Sequence, residues 1–223
     1  MGASLSWVAV QDRSKAELLD LLGLAVSTAE AETNDSEYFG YAMPSGWYVV
    51  LSGRGDLTEL PTVPGEQAVA CSVEENVMVS IATGWSRGEC TWRITHDSEQ
   101  GIEHLETEGD LPDCFASIRD GLFAEQAQFD AERPQVDYIF DIPVQVAKAL
   151  TGYDYADPEM DEEGNYTEIE EEVLVRVRDA GGKVKASQLD DLPGSKGCLL
   201  LMIAVPSATI AVGMALRSVL QLI

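Results

Sequence analysis

Residues 77–95 read Val-Met-Val-Ser-Ile-Ala-Thr-Gly-Trp-Ser-Arg-Gly-Glu-Cys-Thr-Trp-Arg-Ile-Thr, and this stretch decides the fold class. Two runs rich in β-branched and aromatic residues, 77–82 and 90–95, flank a glycine-bounded turn over 84–88. Strands joined by a short turn pair in antiparallel fashion. The stretch therefore predicts a β-hairpin.

The residues on the N-terminal side extend this prediction to a sheet. Residues 41–43 and 47–51 flank Pro-Ser-Gly, a compact turn that indicates a second hairpin. Residues 4–10 and 68–73 also have the composition of strands. We therefore expect a mainly antiparallel sheet with one face in contact with water.

Three segments around these strands have helical punctuation. Ser14 is suited to cap a first helix, Glu17 completes a capping box, and Gly23 follows as a stop signal. Later helices are expected over 110–131 and 141–152. The order of elements predicts an α+β fold in which the helices pack on one face of the sheet.

Composition divides the chain into three parts. Residues 1–152 are the expected acidic α+β domain. Residues 154–172 contain ten acidic residues and no Lys or Arg, so we expect 153–196 to be an extended tether leading to a membrane. Within it, residues 173–177 could form a strand or a short helix.

The third part, residues 197–217, is predicted to be a transmembrane helix. Residues 197–216 carry no charge, and about 20 helical residues span the ~30 Å hydrocarbon core of a bilayer. Lys196 and Arg217 flank the apolar run, where their side chains can reach the headgroups. The alternative is that this segment belongs to the core as a buried helix or as two strands.

Charge around this segment predicts its orientation. Cations near the apolar run lie mostly on its N-terminal side: Arg176, Arg178, Lys183, Lys185 and Lys196. The positive-inside rule then places the body in the cytoplasm, and the residues after Met1 lack the pattern of a secretory signal. Ser207, Ala211 and Ala215 form a row of small residues, which is compatible with a homodimer through the membrane helix.

The overall charge limits the classes of partner. Fourteen Lys and Arg residues against 39 Asp and Glu residues give a net charge of −25 and a sequence pI near 4.1. Such a surface repels nucleic acid and anionic lipid and attracts basic proteins or divalent cations. The simpler interpretation is that the acidic residues serve solubility, as in many soluble domains. We expect a basic protein partner, no nucleic acid and no cofactor.

Two groups of residues resemble metal sites in part. Glu159, Asp161, Glu163 and Glu170 are spaced like calcium ligands, with a glycine at the sharp-turn position. Glu replaces the shorter Asp or Asn at two of these positions, and amphipathic flanking helices are not evident. A solvated acidic run is the preferred interpretation.

The second group is His96 and Asp97, with Glu99, Glu103 and His104 nearby. Imidazole titrates near neutrality, so this group could supply a general base or ligands for zinc. Its spacing does not match the helical H-E-x-x-H motif. A metal-dependent hydrolase that uses His96, Asp97 and His104 is therefore the alternative function.

Trp85 is a candidate for contact with a partner. Core packing best explains the four tryptophans, but Trp85 lies between the glycines of the predicted turn and is the one that we expect to be exposed. With no catalytic motif in the sequence, the preferred function is a non-enzymatic, membrane-anchored interaction domain facing the cytoplasm. A regulator, or an immunity-type protein that neutralises a basic toxin, would have these properties.

Overall fold

The computed structural model describes residues 2–27, 37–53, 57–130, 136–156 and 169–177, and they form an α+β fold. These residues contain nine strands: β1 (Ser4–Gln11), β2 (Leu24–Val26), β3 (Tyr38–Ala42), β4 (Trp47–Ser52), β5 (Gln67–Glu74), β6 (Val79–Ser86), β7 (Glu89–Asp97), β8 (Glu106–Gly109) and β9 (Glu170–Arg176). They also contain three α-helices: α1 (Lys15–Leu22), α2 (Phe115–Asp130) and α3 (Asp141–Thr151).

All nine strands belong to one sheet, in the order β2-β9-β3-β4-β1-β5-β6-β7-β8. Every neighbouring pair is antiparallel, as the two hairpins in the sequence predicted. The turn of the β6–β7 hairpin is shorter than expected. Only Arg87 and Gly88 connect the strands, and both have positive φ, 53° and 83°, as a type I′ turn requires.

Helices cover both faces of the sheet. Trp7 and Ala9 of β1 are buried on the face that carries α2 and α3. Val8 and Val10 are buried on the opposite face, together with Leu18 of α1. The prediction that helices pack on one face was therefore wrong. It failed because β1 lies at the centre of the sheet, between β4 and β5, so successive side chains of β1 are buried on both faces.

The sheet extends beyond the domain boundary expected at residue 152. Strand β9 lies between β2 and β3, and Leu174 at its centre is 1% exposed. Tyr153 is 2% exposed and packs edge-to-face against Trp7 at 5.3 Å between ring centroids. Residues 169–177 are thus part of the domain, although they follow the acidic run that we expected to be a tether.

The glycines predicted to end α1 and α3 are confirmed, whereas the predicted capping box of α1 and the predicted start of α2 differ from the structure. Gly23 and Gly152 end α1 and α3 with φ of 65° and 81°, in the left-handed region that glycine tolerates. Ser14 precedes α1 but makes no side-chain capping bond, so the capping box does not form. Helix α2 begins at Phe115, five residues later than the predicted start.

The transmembrane prediction falls on residues 197–217, which lie outside the described residues. In the part of the chain that the structure describes, no helix is both long enough and apolar enough to cross a bilayer.

Candidate functional site

The histidine group expected from the sequence centres on His96, which projects from β7 beneath the start of α3. Its side chain is 0% exposed, and its ring meets Phe140 edge-to-face at 6.2 Å between centroids. Nδ1 lies 2.8 Å from the main-chain oxygen of His104. Nε2 lies 3.0 Å from a carboxylate oxygen of Asp137. Both ring nitrogens therefore face oxygen atoms.

Asp137 connects this histidine to the start of α3. Its Oδ2 contacts His96, and its Oδ1 accepts hydrogen bonds from the backbone N–H groups of Ile139 and Phe140, each at 3.1 Å. Ser80 of β6 adds a third link by donating its hydroxyl to the carbonyl oxygen of Phe140 at 2.6 Å. Together these bonds fix the chain between α2 and α3 onto the sheet.

The charges around His96 favour its protonated form. Burial lowers the pKa of the imidazole, but the hydrogen bonds to Asp137 and to the His104 carbonyl outweigh burial. The negative charges of Asp137 and Asp97 act in the same direction, and the net result is a raised pKa. The protonated ring can donate to both neighbouring oxygens at once, which a neutral ring cannot do.

The structure brings His104 and Asp97 to the same place as His96 but gives them local roles. His104 Nδ1 accepts a hydrogen bond from the backbone N–H of Asp97 at 3.0 Å. The Asp97 carboxylate caps the short turn after β7 by accepting from the N–H of Glu99 at 3.0 Å. Glu103 is exposed on the following loop.

The surroundings of His96 limit what this residue itself could do in the alternative function. A general base must reach a proton on its substrate, but His96 has no exposed surface and both of its nitrogens have partners. Within the described ranges, no three His, Cys, Asp or Glu side chains converge as metal ligands would. The hydrogen bonds of His96 and Asp137 link β7 to the start of α3.

A second polar group, which no sequence pattern predicted, surrounds Asp141 at the start of α3. Burial raises the pKa of Asp141 to about 6, and the negative charges of Asp137, Asp154, Glu125 and Glu75 act in the same direction. These carboxylates come from different segments of the chain, and they lie close to Asp141 only in the folded protein. In sequence Asp141 resembled an ordinary acidic residue in a first helical turn, a favourable place for it.

Trp85 is buried, contrary to the expectation that it is exposed. Its side chain is 3% exposed and packs with the apolar cluster on the α1 face of the sheet. The residue lies within β6, because the strand continues through Gly84 and Trp85 with a register shift between them. Contact between this indole and a partner would require the α1 face to be uncovered first.

Three of the four calcium candidates, Glu159, Asp161 and Glu163, lie outside the described residues. The fourth, Glu170, begins β9 and is paired with Ala42 of β3. In a calcium-binding loop of the expected type, the twelfth position leads into a helix. Here it leads into a strand.

A row of tyrosine contacts holds β9 in the sheet. Tyr48 donates its hydroxyl to Glu172 at 2.6 Å, and Lys15 pairs with the other oxygen of the same carboxylate at 2.6 Å. Tyr41 donates to Glu171 at 3.0 Å. Burial tends to raise the pKa of Glu172, but the bonds to Lys15 and Tyr48 outweigh it and lower that pKa. Two acidic residues of the predicted tether are thus partners in the fold.

Another feature of the described surface is an acidic border along β7 and β8. Residues 97–113 contain seven acidic residues and no Lys or Arg. Glu99, Glu103, Glu106, Asp110 and Asp113 are all exposed. This acidic border, defined as residues 97–113, includes β8, an edge strand of the sheet.

Comparison with known proteins gives no family assignment: no protein-family model, curated protein or solved structure matches the chain.

Proposed function

We propose that this chain is a non-enzymatic interaction domain, anchored in a membrane by residues 197–217 and facing the cytoplasm, that binds a basic protein partner. A regulator, or an immunity protein that neutralises a basic toxin, would act in this way. The observation that carries the proposal is the excess of exposed carboxylates. It gives the surface a negative field that attracts a positively charged protein.

The ion pairs of the structure leave this excess largely in place. In the part of the chain that the structure describes, five Lys and Arg side chains contact a carboxylate: Arg13, Lys15, Arg93, Arg119 and Lys148. Each of them offsets one acidic neighbour, whereas the acidic border contains no cation at all. Charge that is not neutralised within the molecule is available to a partner.

The geometry of the histidine group supports a binding function over the hydrolase alternative. The two ring nitrogens of His96 are engaged by Asp137 and by the His104 carbonyl. These contacts link β7 to the start of α3, and they leave neither nitrogen of His96 for a substrate. The binding function is therefore favoured over the hydrolase.

The test of the partner is affinity purification of the full chain from membranes of its source in a mild detergent. We expect a stoichiometric protein of high pI at about 50 mM salt and its loss at about 500 mM, because salt screens exposed charges. Recovery of an acidic partner, or of a partner retained equally at both salt concentrations, would contradict the proposal.

The membrane anchor has a separate test. The full chain should remain in the membrane fraction after alkaline carbonate extraction, and a chain lacking residues 197–223 should appear folded in the soluble fraction. Circular dichroism of the soluble product checks its folding. If the shortened chain is unfolded instead, residues 197–223 belong to the core and the anchor is wrong.

A further inference from the structure

Strand β8 leaves one row of its peptide groups without a neighbouring strand in the described part of the chain. It pairs with β7, with Thr107 opposite Ile94 and Glu108 opposite Arg93. The N–H of Asp110 donates to the carbonyl of Thr91 at 2.9 Å. Bonded and non-bonded pairs alternate in an antiparallel ladder, so the N–H and C=O of Thr107 point away from β7.

The side chains of β8 give this edge a charge pattern. Glu106 and Glu108 are opposite Thr95 and Arg93, so both lie on the same face of the sheet, two residues apart. Arg93 is itself paired with Glu59 at 2.6 Å, which offsets its positive charge beside Glu108. A strand added to this edge would thus meet a carboxylate at every second position on one face.

The acidic charges of β8 also prevent the edge from pairing with a second copy of the same chain. Glu106 and Glu108 of two copies would meet as like charges, and natural proteins use such charges to block association between edge strands. A basic strand meets no such repulsion. Charge complementarity therefore favours a basic segment as the strand that pairs with this edge.

We propose that the edge of β8 binds an extended segment of the partner by strand addition, and that this segment carries Lys or Arg at alternate positions. The inference rests on the proposed function, and it adds the place and manner of binding. Main-chain hydrogen bonds to Thr107 supply affinity that does not depend on the side chains of the added segment. The alternating cations set the register against Glu106 and Glu108.

The test uses two fluorescent peptides of about ten residues with identical composition. One alternates Lys with Thr, and the other has all its Lys residues in one block. Anisotropy with the full chain in non-ionic detergent at low salt should show that the alternating peptide binds at least about tenfold more tightly, a difference of ~1.4 kcal/mol. Only the alternating peptide places all its cations on one side of a strand.

Two substitutions at Thr107 separate strand addition from charge attraction. Thr107→Pro removes the outward N–H while leaving the bonds to β7, since proline is tolerated on an edge whose N–H faces solvent. It should weaken binding of the alternating peptide about tenfold or more, whereas Thr107→Val, which keeps the N–H, should stay within about twofold. Circular dichroism confirms that both variants are folded.

Hydrogen exchange gives a second readout that needs no variant. The alternating peptide should slow exchange of the Thr107 amide; protection confined to other segments would overturn the inference. Equal binding of the two peptides, unaffected by Thr107→Pro, would also overturn strand addition while leaving a basic partner in place. Failure of both peptides to bind at low salt would contradict the proposed function as well.

Discussion

The contact between His96 and Asp137 places two ionisable side chains where little water reaches. The two side chains are 0% and 9% exposed. Removing one member of such a pair leaves the other without compensation for its lost hydration. At the scale of single residues, this pair should therefore be among the most sensitive places in the fold.

Asp137→Asn tests this directly and predicts a pH dependence. The amide can still accept from the N–H of Ile139 and Phe140, but the charge beside His96 is lost. Because the folded state raises the pKa of His96, the pair's stabilisation is complete below the unfolded value of about 6.5 and is lost as pH rises through the folded value. Urea unfolding should show a loss of about 3 kcal/mol near pH 6 and a smaller loss near pH 9.

Glu99→Gln is the control for this substitution, because Glu99 is an exposed acidic residue of the same region. It should change the free energy of unfolding by less than about 0.5 kcal/mol at either pH. A loss for Asp137→Asn that stayed constant or grew with pH would show that His96 is neutral in the folded protein.

Asp141 shows the opposite behaviour, because its neighbours disfavour its charge. Its pKa is raised to about 6, so the folded state loses stability as pH rises from the unfolded value of about 3.9 to 6. We expect Asp141→Asn to increase the free energy of unfolding by about 1 kcal/mol at pH 7, after allowing for lost attraction to the helix N-terminus. The gain should vanish near pH 4, where the carboxyl is neutral.

Thermal unfolding at pH 4 and pH 7 measures this difference, with Asp113→Asn as the matched change at an exposed carboxylate. Destabilisation by Asp141→Asn at pH 7 would mean that the attraction to α3 outweighs the crowding by Asp137, Asp154, Glu125 and Glu75.

The sequence predicted that the histidine group lies together but not which contacts its members make. His96, Asp97 and His104 lie close together in the chain, so their meeting was predictable. Asp137 is distant in sequence, and its contact with Nε2 of His96 depends on how α3 packs across β5 and β6. Burial of Trp85 was missed for a similar reason, since the composition of 84–88 suggested a turn, whereas β6 continues to Ser86.

At the scale of elements, β9 depends on a glycine in the neighbouring strand. Gly40 of β3 is opposite Glu172 of β9. A Cβ atom at Gly40 would lie 2.1 Å from the hydroxyl oxygen of Tyr48. The phenol of Tyr48 therefore crosses β3 over the glycine to reach Glu172.

A double-mutant cycle between Gly40 and Tyr48 tests this arrangement. Gly40→Ala should cost about 1–3 kcal/mol in the natural chain, because the added methyl group overlaps the phenol. In a Tyr48→Ala background the cost should fall by more than about 1 kcal/mol. Gly53→Ala is the control, since a Cβ there meets nothing within 4 Å. Equal costs in both backgrounds would show that β3 shifts to admit the methyl group.

The strands and helices with local signals were largely predictable, and β9 was not. The two hairpins and the glycine stops depend on residues adjacent in the chain. By contrast, β9 pairs with β3 across more than 120 residues, and its acidic start resembles a solvated run until Lys15, Tyr41 and Tyr48 supply partners. Helices cover both faces of the sheet because of the order of its strands, and local sequence patterns do not determine that order.

At the scale of the whole molecule, the acidic residues fall into two groups, those with specific partners and those that stay exposed. Asp137 and Glu172 stabilise the structure through specific partners, whereas the acidic border stays exposed beside an edge strand. The first group joins the start of α3 and β9 to the rest of the fold. The second gives the negative surface from which we infer a basic partner.

The most direct test of that inference is the affinity of the recovered partner for the full chain, measured as a function of salt concentration. We predict that the affinity falls steeply as salt rises. We also predict that a variant with Glu103→Gln, Glu106→Gln and Glu108→Gln binds more weakly and with a shallower dependence, because fewer charges are screened. An affinity that does not change with salt, or a variant that binds as tightly as the natural chain, would contradict the account.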